Sequence, residues 1–114
     1  MPEPRPTQSD AIIILSTAGG DEPATRIARH LVENKLAACV NVVPHVRSVY
    51  HWKGKMAQDE EALLIVKTRA ALYERVRQAI KEIHTYEMPE VIAFDISRGD
   101  PDILAWIRES TQGP

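Results

Sequence analysis

Between Ala11 and Ile107 the chain alternates short continuous apolar runs with segments whose apolar residues recur every three or four positions, and each change of period marks an element. AIIILSTA, residues 11–18, is short, rich in β-branched residues and followed by Gly19 and Gly20, which predicts a buried strand. Asp21 is a candidate cap for the next segment and Pro23 suits a first helical turn. Ala24, Ile27, Ala28, Leu31 and Val32 then recur at helical spacing to about Asn34.

From Leu36 to Trp52 the sequence LAACVNVVPHVRSVYHW is rich in valine, and at about 3.3 Å per residue it would reach about 50 Å, more than twice an ordinary strand. A strand that long outgrows its own domain. Pro44 lacks an N–H and must sit at a bulge or an unpaired edge, dividing the strand into an inner half and a projecting half. Lys53, Gly54 and Lys55 make the turn, and EEALLIVKT returns as a strand whose unbroken apolar middle predicts cover on both faces. Thr68 is a candidate cap for a second helix carrying Leu72, Val76, Ala79, Ile80 and Ile83 as one stripe. Pro89 prevents that helix continuing, EVIAFDI reads as a fourth strand, and Asp100 with Pro101 opens a short last helix.

The order β-α-β-β-α-β-α predicts an α+β fold of two split β-α-β units: a four-stranded antiparallel sheet with two helices on one face, the ferredoxin-like arrangement, plus a short C-terminal helix. Helices on one side cannot cover both faces of AIIIL and ALLIV, so the open sheet face is expected to meet a partner protomer. Residues 10–114 read as a single domain. Residues 1–9, with prolines at 2, 4 and 6, read as a disordered tail.

Composition narrows the function classes. A chain of 114 residues with 44% apolar content can bury a core without metal or disulfide staples. The formal charge of −2, without a lysine or arginine cluster, argues against a nucleic-acid partner. Cys39 is the single cysteine and the N-terminus lacks the apolar core of a secretory signal, which predicts a reducing, cytoplasmic setting. The apolar runs fall far short of the roughly 20 residues of a membrane-spanning helix.

Candidate chemistry is concentrated in EIHTYEMPEVI. His84 in the last turn of a helix is favoured by the macrodipole without any ligand, but Tyr86, Glu87 and Glu90 accompany it in a segment locked by Pro89. Glu61 and Lys67, six apart on one strand face, bring opposite charges to a neighbouring strand. Glu61, Lys67, His84, Tyr86 and Glu87 are therefore expected to line one cleft near a protomer boundary, with Tyr50 or Trp52 as its apolar wall. Cys39, His45 and His51 are spaced by six residues, about 20 Å on a strand, too far to share an ion. A phosphate cradle at STAGG is disfavoured because Asp21 and Glu22 follow where the anion would bind. Ser16 has no histidine at a local spacing to activate it.

At NKLAACVNVVP, SVYHWKGK, DEEALLIVKT and HTYEMPEVIA the sequence closely resembles the CutA family, the divalent-cation tolerance proteins, over about residues 11–109. The resemblance implies a ferredoxin-like homotrimer joined through the long second strand, no enzymatic reaction, and a link to copper and other divalent cations, none needed for folding. Some members attribute copper binding to a cysteine at the end of strand one and two adjacent histidines at the end of helix two. Here those positions hold Ser16, Ile83 and His84, so the resemblance implies weak binding at most, with His84 as ligand and Cys39, Glu87 or Glu61 as recruits. The similar architecture of the PII signalling proteins supplies a rival: a regulatory trimer binding a small metabolite in the clefts between subunits.

Overall fold

The computed structural model describes residues 9–112; the first eight residues of the expected tail lie outside that range. Its elements are β1 (Ala11–Ala18), α1 (Asp21–Glu33), β2 (Cys39–Trp52), β3 (Lys55–Arg69), a single 3-10 turn (Ala70–Leu72), α2 (Tyr73–Ile83), β4 (Ile92–Asp95) and α3 (Pro101–Ser110). The sheet runs β2-β3-β1-β4 with every neighbouring pair antiparallel, the order that two interleaved split β-α-β units produce.

Strand alternation sorts the side chains into two unequal faces. Ile12, Ile14 and Ala18 of β1 and Ala62, Leu64 and Val66 of β3 point to one side and are buried. There they meet Ala24, Ile27 and Leu31 of α1 and Val76, Ala79 and Ile80 of α2 in one core. Each fully buried leucine or isoleucine contributes about 1.5–3 kcal/mol relative to exposure, so this layer supplies most of the stability of the single chain.

The other face is open. Ile13, Leu15 and Thr17 of β1 lie half-buried on it, opposite Lys67, Ile65 and Leu63 of β3. Phe94 and Ile92 of β4 extend the same rows and are 54% and 46% exposed. The end at Ala11 and Arg69 is covered by α3: Arg69 donates from Nε to Thr111 Oγ1 at 2.9 Å and from Nη2 to the Thr111 carbonyl at 3.1 Å, and Ile107 is buried. The expected cover on both faces of β3 is thus present on one face of the single chain, because the two long helices both cross over to the same side.

β2 keeps a regular register from Cys39 opposite Lys67 to Val43 opposite Leu63, then slips, resuming at Val46 opposite Glu61. Pro44, which has no N–H to donate, and His45, in left-handed backbone at φ 61°, form the bulge. Beyond it β2 and β3 project as a two-stranded arm closed between Trp52 and Lys55 by Lys53 and Gly54, both at positive φ, as a two-residue hairpin turn requires. The arm stretches the molecule to 51 Å against a thickness of 22 Å.

Two expected caps are not caps. Gly20 occupies the N-cap of α1 and Asp21 is its first helical residue, where a carboxylate still suits the helix dipole. Thr68 remains in β3, fully buried, its hydroxyl donating to the Leu36 carbonyl at 2.6 Å, and the 3-10 turn separates it from α2. A tertiary acceptor outcompeted the helix terminus. Asp100 does cap α3, accepting from the Asp102 N–H at 2.9 Å with Pro101 in the first turn. β4 is shorter than the apolar run EVIAFDI, covering Ile92–Asp95.

Ser16 points into the helix-covered core, and its hydroxyl is buried without a hydrogen-bond partner among the described residues. An unsatisfied buried hydroxyl costs about 1–3 kcal/mol, so Ser16→Ala is expected to raise the urea midpoint by the equivalent of about 1 kcal/mol. A lowered midpoint would mean that the hydroxyl is satisfied in solution.

Candidate functional site

The segment joining α2 to β4 is held down by His84. Its backbone turns extended at the helix end, and its ring reaches across to the carbonyl of Thr17, with Nε2 at 2.6 Å. A carbonyl can only accept, so Nε2 carries the proton. Nδ1 lies 3.0 Å from the Tyr86 N–H and accepts it. Both ring nitrogens are thus hydrogen-bonded, and the Nδ1 lone pair that a ligand would need is occupied by the Tyr86 N–H. The Tyr86 ring tilts against the imidazole with centroids 4.5 Å apart, and its hydroxyl donates to Glu61 Oε2 at 2.7 Å. His84, Tyr86 and Glu61 thus form a chain from the end of α2 to the middle of β3, opposite the bulge of β2.

Glu61 is 8% exposed and takes part in no ion pair among the described residues. Burial first, and then the hydrogen bond to Glu61, push the Tyr86 hydroxyl far above the usual tyrosine range. The phenol is therefore a donor and not a nucleophile. On the arm, Tyr50 donates to the Asp59 carboxylate, and that bond raises the Tyr50 hydroxyl.

Because the folded state holds the Tyr86 proton more tightly than the unfolded chain, this stabilisation is complete below the free tyrosine value of about 10 and is lost as pH rises through the folded value. In an ultraviolet titration of the three tyrosines, Tyr86→Phe is expected to remove a late step. If every step of the parent fell at the free tyrosine value, the bond to Glu61 would be absent in solution.

Between the arm and the 85–92 segment lies a cleft of about 1020 Å³. Tyr50, Trp52, Asp59 and Glu61 line it from one face of the arm, and Tyr86 and Glu87 line it from the 85–92 segment. Arg47, His51 and Glu90 also line it. At the tip of the arm Lys53 Nζ stands 5.7 Å from the centre of the Trp52 ring and 3.9 Å from Glu87 Oε1.

Of the residues singled out from the sequence, Glu61, Tyr86, Glu87, Tyr50 and Trp52 line this cleft, and His84 stands behind Tyr86. Lys67 and Cys39 are not brought to it. They face each other across β3 and β2, six residues from Glu61, about 20 Å along the strand. The expectation of Lys67 as a cleft wall, and of Cys39 as a ligand beside Glu61 and His84, is corrected by that distance: alternation places residues on a face without placing them together. Among the described residues no three His, Cys, Asp or Glu side chains converge closely enough to hold a metal ion. Sequence reasoning missed Asp59, although it shares the face of Glu61 two residues away, and the Thr17 carbonyl, a backbone group that carries no sequence signal.

Among the described residues no helix is long and apolar enough to cross a membrane. Residues 12–110 match the family model for CutA1 divalent ion tolerance protein. The chain is 41% identical over 99 residues to the divalent-cation tolerance protein CutA of Thermus thermophilus, covering 87% of this chain and 96% of that one. It is 42% identical over 102 residues to the chloroplastic protein CutA of Arabidopsis thaliana, covering 90% of this chain but 56% of the plant protein's length. The crystal structure of CutA1 from Oryza sativa superposes with a TM-score of 0.89 at 41% identity, over 94% of this chain and 98% of that one. A periplasmic divalent cation tolerance protein CutA from Archaeoglobus fulgidus superposes at 0.87, with 41% identity over 90% and 99% of the two chains. With the sheet order, the bulged arm and a match spanning nearly every described element, the chain belongs to the CutA1 divalent ion tolerance family.

Proposed function

We infer that this chain acts by binding and not by catalysis, as a cytoplasmic homotrimer that takes divalent cations, copper included, weakly into the acidic cleft beneath its projecting arm. The observation that carries this reading is Glu61: a carboxylate 8% exposed, lining an open cleft, without a cationic partner among the described residues. Removing a charge from water costs several kcal/mol unless a counter-charge offsets it, so the cleft favours a cation. Asp59, Glu87 and Glu90 add to its negative field, with Arg47 opposing. The half-buried and exposed apolar rows of the open sheet face support self-association, and the family name supports a role toward divalent cations.

The donor set does not fit a tight copper site. His84 has no free nitrogen, the Tyr86 phenol holds its proton, and Ser16 lies on the helix-covered face, away from Glu61. Carboxylates remain, and as hard, spread donors they discriminate poorly between ions. A calorimetric titration with copper(II) is expected to give weak binding that Glu61→Gln reduces and a surface control, Glu22→Gln on α1, leaves unchanged. Tight binding abolished by His84→Ala and indifferent to Glu61→Gln would overturn this assignment.

A further inference from the structure

The cleft is much larger than one ion needs, and its carboxylates are distributed along it. Asp59 and Glu61, two residues apart on one face of β3, have Cα atoms about 7 Å apart. Glu87 and Glu90 stand on the opposite bank. Aromatic rings line the same cleft, Tyr50 and Trp52 from the arm and Tyr86 from the loop. The phenols of Tyr50 and Tyr86 each donate to one carboxylate, Asp59 and Glu61. A carboxylate offers about four lone-pair positions, so each retains acceptor capacity for N–H donors. The protein itself provides one example of the contact at the mouth. The Lys53 ammonium stands between the Trp52 ring and the Glu87 carboxylate, 5.7 and 3.9 Å away.

We propose that this cleft binds a linear aliphatic polyamine, with ammonium groups on Asp59 and Glu61 and the intervening methylenes against Tyr50, Tyr86 and Trp52. The inference rests on the reading of the cleft as a cation site and names a different cation for it. Two ammonium groups joined by four methylenes lie about 6 Å apart when extended, five bonds of about 1.5 Å in a zigzag, close to the spacing of Asp59 and Glu61. Each ammonium brings three N–H donors that form charge-assisted bonds to carboxylate oxygens, and the aromatic faces attract the same charge. A tightly held metal ion instead requires three or more protein donors converging within about 2–2.6 Å, which the described residues do not provide, so a metal ion is held here only weakly. Glu61, buried and without a counter-ion, gains the partner it lacks.

The test is calorimetry on the full-length protein with spermidine, run beside copper(II) and in the presence and absence of excess magnesium. Spermidine is expected to bind the parent, to lose about tenfold in affinity with either Glu61→Gln or Asp59→Asn, and to be unaffected by Glu22→Gln on α1. Asp59 is exposed, so its variant keeps the test valid if Glu61→Gln proves unstable. Magnesium at equal ionic strength should not displace the polyamine. Equal binding by parent and both cleft variants, or full displacement by magnesium, would overturn the proposal by reducing it to general charge attraction. Glu61-dependent copper binding without spermidine binding would overturn the polyamine assignment alone, and failure of both cations would overturn the reading of the cleft as a cation site as well.

Discussion

Ile65→Asp is expected to abolish the proposed self-association while leaving each chain folded. Ile65 sits in the middle of the open face, between Asn41 on β2 and Leu15 on β1, in a row that continues to Ile92 on β4. Neighbouring rows carry Val43, Leu63 and Thr17 on one side and Ile13 and Phe94 on the other. Directly opposed side chains on one sheet face lie about 5 Å apart, so the apolar residues form one surface, interrupted by Lys67 beside Ile13 and bordered by Asn41 and Thr17. Val43, Ile92 and Phe94 are each more than a third exposed in the isolated chain. A partner that covers this surface would bury the introduced carboxylate at a cost of several kcal/mol for each copy, which Lys67, about 7 Å away on the same face, offsets only in part. The helix-covered core on the opposite face does not contact position 65. Sedimentation velocity at micromolar concentration measures the outcome. A parent that sediments as one chain, or a variant that retains the parent's mass, would defeat the idea.

Leu64→Ala should produce the larger loss of intrinsic stability, about 2–5 kcal/mol, as truncation of a fully buried leucine does. Leu64 is 0% exposed and stands opposite Ser16 on β1 and Val42 on β2, beneath the two long helices. Leu63→Ala, one residue earlier, is expected to cost far less in a chain already made monomeric by Ile65→Asp, because Leu63 lies on the open face. Denaturant unfolding of both truncations in that monomeric background compares identical chemistry on the two faces of one strand. Equal losses would mean that the open face is covered within the single chain, against the burial pattern.

Several elements of this molecule were decided by neighbours in sequence, and those were legible. The apolar periods of β1, α1 and α2, the Asp100 cap with Pro101, and the bulge at Pro44 follow from local rules that hold wherever the chain goes. Even the unusual length of β2 could be read, because one interrupted valine-rich run has few other ways to fold. The convergence of Glu61, Tyr86 and Glu87 was also visible in outline, since a proline-locked loop follows a helix that must return to the same small sheet.

The tertiary structure alone decided the contacts between distant residues. The hydroxyl of Thr68 belongs to Leu36, 32 residues away, and not to the helix that follows it. Arg69 reaches Thr111, 42 residues on, and His84 reaches back 67 residues to a backbone carbonyl that no side-chain pattern announces. That last contact settles the chemistry of the ring, since a histidine with both nitrogens bonded is a latch and not a ligand. Lys67 and Cys39 illustrate the same limit from the other side. Strand alternation has a period of two and assigns each residue a face, but it is blind to distance along the strand, so residues sharing a face with Glu61 can lie about 20 Å away from it. Local sequence encodes the period and the punctuation; which side chains meet depends on how the sheet is ordered and where the helices cross it.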